Sequence, residues 1–94
     1  MSTYEKLNHK VVVIAGASAG VGRATAREFA KYNMKIALLA RGKKGLEAAA
    51  REVEAAGSEA MVLPLDLADH DAVEQAAQKV QDAWNIIDIW VNNA

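Results

Sequence analysis

The chain contains no cysteine. That absence excludes a disulfide framework, a thiolate metal site and a thiol nucleophile, although it does not assign a redox compartment. Net charge is also nearly absent, because 11 basic and 12 acidic residues leave a formal charge of −1. A chain with so little net charge has no strong positive potential to attract nucleic acid or an anionic membrane, so we predict neither partner.

Long apolar runs are missing as well. No run approaches membrane-spanning length, and residues 1–10 lack the apolar core of a signal peptide. We therefore expect a cytoplasmic protein with no membrane contact in this segment, and a mobile polar start around Tyr4. The 94 residues allow at most one small domain, with a hydrophobic share of 52% that is ordinary for a globular chain.

Short apolar runs alternate with helical periodicity along the whole chain. The runs predict strands over residues 11–15, 35–40, 60–65 and 86–91. The helical patterns cover residues 23–33, 44–56 and 73–84, and Asp69 or Asp71 is available to cap the last one. Pro64 is expected at the end of its strand or at a sheet edge, because proline cannot donate to a central ladder.

This β-α-β-α-β-α-β order with short connections predicts a parallel sheet with helices on both faces. Right-handed crossovers place the first two helices on one face. The third helix lies on the other face if the fourth strand pairs beside the first. The fold class is therefore α/β, a Rossmann-type three-layer fold with a partial parallel sheet of four strands in the order 3-2-1-4. A ligand is expected where the strand order reverses, between strands 1 and 4.

A glycine-rich turn, residues 16–22, joins the first strand to the first helix. Gly16 lets the chain leave the strand sharply, and Gly20 removes a side chain where a pyrophosphate could approach. Gly22 lets the helix pack closely on the sheet. The free N–H groups and the positive end of the helix dipole then point at that space, and Ser18 offers a hydroxyl to a phosphate. Glycine triads also recur in ordinary turns, so the context has to decide.

Three motifs in register supply that context. They are Gly16, Gly20 and Gly22 in the spacing Gly-x-x-x-Gly-x-Gly, the pair Asp66-Leu67 after strand 3, and Asn92-Asn93-Ala94 closing strand 4. Together they resemble the short-chain dehydrogenases/reductases over the whole chain. One departure is Ala15, where that family usually has a threonine whose hydroxyl ties the turn to the strand-4 asparagines.

The resemblance implies a nicotinamide dinucleotide bound across the sheet. Asp66 would meet the adenine amino group, with the Leu67 backbone beside it. Asn93 would lie by the adenosine ribose, while Asn92 chiefly braces the central strands. The full set of predicted cofactor-binding residues is Gly16, Ser18, Ala19, Gly20, Val21, Gly22, Arg41, Asp66, Leu67, Asn93 and Ala94.

The end of strand 2 predicts which dinucleotide binds. A carboxylate there would hydrogen-bond an adenosine 2′-hydroxyl and repel a 2′-phosphate, but this chain has Ala40 followed by Arg41 and two nearby lysines. Arginine holds phosphate through a two-pronged, charge-assisted contact. We therefore predict NADP(H) in preference to NAD(H). The alternative is that these cations form only a solvated loop.

The resemblance also implies which parts are missing. The family's catalytic serine, and its tyrosine with a lysine four residues later, lie beyond strand 4, so we assign no catalytic residue and no metal site. The family motif continues as Asn-Asn-Ala-Gly, whereas this chain stops at Ala94. Residues 1–94 are accordingly interpreted as a truncated NAD(P)-binding domain without its carboxyl-terminal catalytic half.

Two functional classes follow from this interpretation. The first is the amino-terminal half of an NADP-dependent oxidoreductase for a carbonyl or alcohol substrate, inactive on its own. The second is a non-catalytic dinucleotide-binding module, either a redox-sensing regulator or a self-assembling half-domain. In both, the outer edge of strand 4 presents unpaired backbone and large apolar side chains such as Trp90. We expect the whole protein to be a homo-oligomer. The isolated 94-residue chain is expected to be partly disordered, aggregation-prone or paired with itself.

Overall fold

A computed structural model of the chain describes residues 1–93. They form one parallel sheet in the order β3-β2-β1-β4. Its strands are β1 (Val11–Ala15), β2 (Lys35–Ala40), β3 (Glu59–Pro64) and β4 (Ile89–Asn92). The predicted strand order is confirmed, and Pro64 is indeed the last residue of an edge strand.

Helices cover both faces of the sheet. They are α1 (Thr3–Leu7), α2 (Gly20–Phe29), α3 (Lys43–Ala55) and α4 (His70–Trp84), and a 3₁₀ turn (Ala30–Tyr32) follows α2. Buried residues of α2 and α3 pack on one face, and those of α4 pack on the other. The three-layer α/β architecture is therefore confirmed.

Strand β1 lies at the centre because both of its faces are covered. Val12 and Ile14 face the α2 and α3 side, whereas Val11 and Val13 face α4. Successive side chains of a strand point to opposite faces, so a continuous apolar run suits a strand buried on both sides. The edge strand β3 is only partly buried along its length.

Several predicted boundaries differ from those in the structure, among them the starts of α2 and β4. Helix α2 begins at Gly20 rather than at Arg23, because the last two glycines of the turn form its first turn, although glycine is a poor helix former. Strand β4 begins at Ile89 rather than at Ile86. Asp88, just before β4, makes two hydrogen bonds to the first residue of β1. Its N–H donates to the Val11 carbonyl, and its carboxylate accepts from the Val11 N–H at 2.8 Å.

The start of the chain forms a short helix that the sequence analysis did not predict around Tyr4. Ser2 and Glu5 form a capping box in which each side chain accepts from the other residue's backbone N–H. Leu7 at the end of α1 packs against the core on the α2 and α3 side. The Ser-x-x-Glu spacing was the sequence signal for this helix.

Candidate functional site

The carboxyl ends of all four strands meet at one edge of the sheet, and the glycine turn follows β1 there. Ala15 lies opposite Leu39 of β2 and Asn92 of β4. The N–H groups of Gly16 and Ala17 both donate to the Leu39 carbonyl, at 2.7 and 3.2 Å. The turn is thus held by the backbone of the neighbouring strand at the predicted reversal point.

The first two glycines of the turn both adopt a positive φ. Gly16 has φ 87°, which turns the chain sharply out of β1. Gly20 has φ 59°, and a Cβ placed there would meet no atom within 4 Å among the described residues. The space in front of Gly20 is therefore open to a ligand.

The third glycine permits a close contact between α2 and the turn. A Cβ on Gly22 would overlap the Gly16 carbonyl oxygen and lie 2.7 Å from the Gly16 carbonyl carbon. It would also lie 3.2 Å from the Cα of Ala17, which is fully buried. The predicted role of Gly22 in close packing agrees with this geometry.

The start of α2 is uncapped. Ala19 occupies the N-cap without a side-chain hydrogen bond, and the first helical N–H to find an acceptor is that of Arg23, which donates to Ala19 at 3.4 Å. Within residues 1–93, the N–H groups of residues 20–22 have no acceptor. Val21 is 72% exposed. Unpaired amides at the positive end of a helix dipole form an environment that suits an anion.

Arg41 and Asp66 lie next to each other at the same edge. Arg41 Nη2 is 3.3 Å from Asp66 Oδ2, and their side chains are 78% and 46% exposed. The end of β3 is brought to the end of β2 by the Leu65 N–H, which donates to the Ala40 carbonyl at 2.9 Å. The structure therefore joins two predicted site residues whose pairing the sequence did not indicate.

The remaining predicted residues lie around this edge. Leu67 is half-buried, and its side chain packs against the core on the α4 side. Asn93 is exposed, and its N–H donates to the Ala15 carbonyl at 2.9 Å. This backbone contact ties the end of β1, just before the turn, to the residue after β4, although residue 15 has no hydroxyl. Ala94 lies outside the described residues.

An ion-pair cluster that sequence reasoning missed connects α2 to α3. Arg23 Nε donates to Glu52 Oε1 at 2.7 Å, and Arg27 Nη1 reaches Oε2 at 3.4 Å. The hydrogen bond from Arg23 lowers the pKa of Glu52, and the same bond raises the pKa of Arg23. Because the partners are 29 residues apart in sequence, no local pattern predicted them.

Residues 1–93 contain no group of three or more His, Asp or Glu side chains that could hold a metal ion. No helix in that range is long and apolar enough to cross a membrane. A depression of about 400 Å³ lies at the opposite, amino-terminal edge of the sheet, where His9, Lys35 and Glu59 are among its lining residues.

Comparisons with known proteins agree with this geometry. A family model described as short chain dehydrogenase matches residues 10–94. The fatty acyl-CoA reductase of Acinetobacter baylyi is 33% identical over 90 residues, covering 96% of this chain and 30% of the relative. This chain thus spans about a third of the relative's length.

Solved structures of known enzymes share the fold, and two of them illustrate the likeness. L-sorbose reductase from Gluconobacter frateurii, complexed with NADPH and L-sorbose, superposes with a TM-score of 0.87 and 37% identity over 94% of this chain and 34% of that one. An NAD⁺-bound xylitol dehydrogenase gives a TM-score of 0.90 and 35% identity over 95% of this chain and 34% of that one. With the family model matching nearly the whole sequence, the chain belongs to the short-chain dehydrogenase family.

Proposed function

We propose that this chain is the amino-terminal, NADP(H)-binding part of an oxidoreductase that acts on a carbonyl or alcohol group. The observation that carries the proposal is the uncapped start of α2, where the N–H groups of residues 20–22 have no acceptor within residues 1–93 and the space at Gly20 is open. The cofactor would supply hydride transfer, and the residues described here would bind and orient it.

The proposed binding mode follows the sheet edge. The diphosphate lies against the turn, held by residues from the predicted set Gly16, Ser18, Ala19, Gly20, Val21 and Gly22. The adenine then lies towards Asp66 and the backbone of Leu67, and the adenosine ribose lies near Asn93. Support comes from the shared edge that carries all of these groups and from the backbone bonds that hold them there.

Preference for NADP(H) rests on Arg41. The position before it is the buried Ala40, so no carboxylate there competes with a 2′-phosphate. The contact of Arg41 with Asp66 is exposed, and exposed ion pairs contribute only about 0–1 kcal/mol, so Arg41 is free to turn towards a phosphate. Among the structural relatives, L-sorbose reductase was solved with NADPH, whereas xylitol dehydrogenase was solved with NAD⁺.

Titration with both cofactors tests the preference. Wild-type chain should bind NADP⁺ more tightly than NAD⁺. Arg41→Ala should weaken NADP⁺ binding by about tenfold, the value of one charge-assisted hydrogen bond, and leave NAD⁺ binding unchanged. Arg51→Ala, which removes an exposed arginine within α3, is the matched control. Equal or tighter binding of NAD⁺ by the wild-type chain would refute the NADP(H) assignment.

Catalysis would require residues outside residues 1–94. Neither Tyr4 nor Tyr32 has a lysine four residues later, so the Tyr-x-x-x-Lys pattern that the family resemblance implies is absent from this sequence. We expect the 94-residue chain to bind cofactor without oxidising NADPH when ketones or aldehydes are added. Turnover by this chain would refute that expectation. Binding without turnover is also what a non-catalytic dinucleotide-binding module would show. A serine and a Tyr-x-x-x-Lys pattern after residue 94 would favour the enzyme over that alternative.

Self-association through β4 is part of the proposal. Strand β4 is an edge strand of the described sheet, and Trp90 on it is 40% exposed. Ile86, just before it, is 56% exposed. An edge strand that carries exposed apolar side chains favours pairing with a second chain. Sedimentation should show species larger than a monomer at high concentration, and a compact, cooperative monomer there would contradict this.

A further inference from the structure

The amino end of α3 rests directly on the glycine turn. A Cβ placed on Gly45 would lie 2.7 Å from the Ser18 carbonyl oxygen and 3.0 Å from the Ser18 Cβ. Gly45 has no positive φ, so its backbone conformation does not call for glycine. Alanine is the better helix former, so the helix does not call for glycine either. Glycine at position 45 is explained by the close approach of α3 to Ser18, because any side chain there would collide with Ser18.

Neither partner in this contact can move away freely. On the turn side, the residues just before Ser18 are bonded to the Leu39 carbonyl, and Ala17 is fully buried. On the helix side, Leu46 is fully buried in the core directly after Gly45. A methyl group at residue 45 would therefore change the spacing between the first turn of α3 and the glycine turn.

That spacing determines where Arg41 lies. Arg41 and Gly42 connect β2 to the start of α3, so a displaced first turn moves Arg41 relative to Ser18. Gly42 itself also faces Ser18, but a Cβ placed there would lie 3.6 Å from the Ser18 Cβ, which is an ordinary contact distance. Only Gly45 is packed too tightly to accept a methyl group at this junction.

We propose that Gly45 is a positioning residue for recognition of the 2′-phosphate of the dinucleotide. By letting α3 rest on Ser18, it holds Arg41 at the spacing from the glycine turn at which both can contact one nucleotide. This inference rests on the proposed NADP(H) function. It adds a specificity-determining position that lies outside the predicted set of contact residues.

The test is the ratio of NADP⁺ to NAD⁺ affinity, measured by titration of a longer protein that includes residues 1–94. Gly45→Ala should lower that ratio about tenfold, since roughly one charge-assisted contact is lost. Gly42→Ala should leave it unchanged, because the same methyl group fits there. In an Arg41→Ala background, Gly45→Ala should have no further effect on the ratio, because Gly45 affects the ratio only by positioning Arg41.

The alternative outcomes are separable. Equal weakening of both cofactors, or no weakening of either, would refute the role of Gly45 while leaving the proposed function intact. A wild-type chain that does not prefer NADP⁺ would refute the proposed preference itself. If Gly45→Ala does not fold, the double variant Ser18→Gly/Gly45→Ala relieves the side-chain part of the overlap, and it should fold with a ratio below that of Ser18→Gly alone. Loss of the fold in both variants would show that Gly45 serves the fold alone.

Discussion

Replacing Gly22 by alanine should destabilise the protein more than any other single methyl group added to the glycine turn. The new Cβ would overlap the Gly16 carbonyl oxygen and approach the Gly16 carbonyl carbon to 2.7 Å. These are backbone atoms, and the Gly16 N–H is bonded to Leu39 at 2.7 Å, so the turn cannot yield without breaking that hydrogen bond. Helix α2 would have to move away from β1.

The magnitude follows from two opposing effects. Overpacking costs about 1–3 kcal/mol, and contact with fixed backbone favours the upper end of that range. Alanine in place of glycine regains about 1 kcal/mol of helix propensity. We therefore expect a net loss of about 2 kcal/mol in the free energy of unfolding, which corresponds to a fall of about 8–16 °C in melting temperature for a domain of this size.

Circular dichroism during thermal unfolding measures this change. Gly42→Ala is the matched control, because a Cβ there makes only ordinary contacts at 3.6 Å or more. Its melting temperature should fall by less than that of Gly22→Ala, because the only expected cost is that of alanine at the N-cap of α3. An unchanged melting temperature for Gly22→Ala would refute the reasoning, since α2 could then not be packed on the turn as closely as the structure shows.

Three further predictions concern other parts of the molecule. Gly20→Ala puts a methyl group at φ 59° into open space, so it should weaken NADP⁺ binding in a titration by a larger factor than Gly42→Ala does; equal effects would contradict a diphosphate at this position. Because Arg23 lowers the pKa of Glu52, that carboxylate stabilises the fold above its ordinary pKa of 4.5, and the stabilisation disappears as the pH falls through the lowered value. The stability advantage of wild type over Glu52→Gln in urea unfolding should therefore shrink as the pH falls below 4.5, and parallel pH profiles would argue against this. Ser58→Ala removes a buried hydroxyl that donates to Ala30 at 2.7 Å and accepts from Met34 at 2.8 Å, so urea unfolding should show a loss of about 1–3 kcal/mol; no loss would mean that water replaces it.

Most of the fold could be predicted from local patterns in the sequence. The central strands could be placed because a strand buried on both faces needs a continuous apolar run, and residues 11–15 and 35–40 are such runs. Their order followed from the handedness of crossovers and needed no contact information. The start of β4 was misplaced because residues 86–88 are as apolar on average as the strand itself. Only the two hydrogen bonds between Asp88 and Val11 show where pairing begins.

The candidate site divides in the same way. The family, the glycine turn and the cation after strand 2 could be predicted before any coordinates, because they depend on residue type at short spacing. The contacts of Arg41 with Asp66, of Glu52 with Arg23 and of Gly45 with the turn became visible only in the folded chain. Such contacts join residues about 25 or more positions apart, and their distances depend on how helices pack on the sheet, which no local pattern encodes.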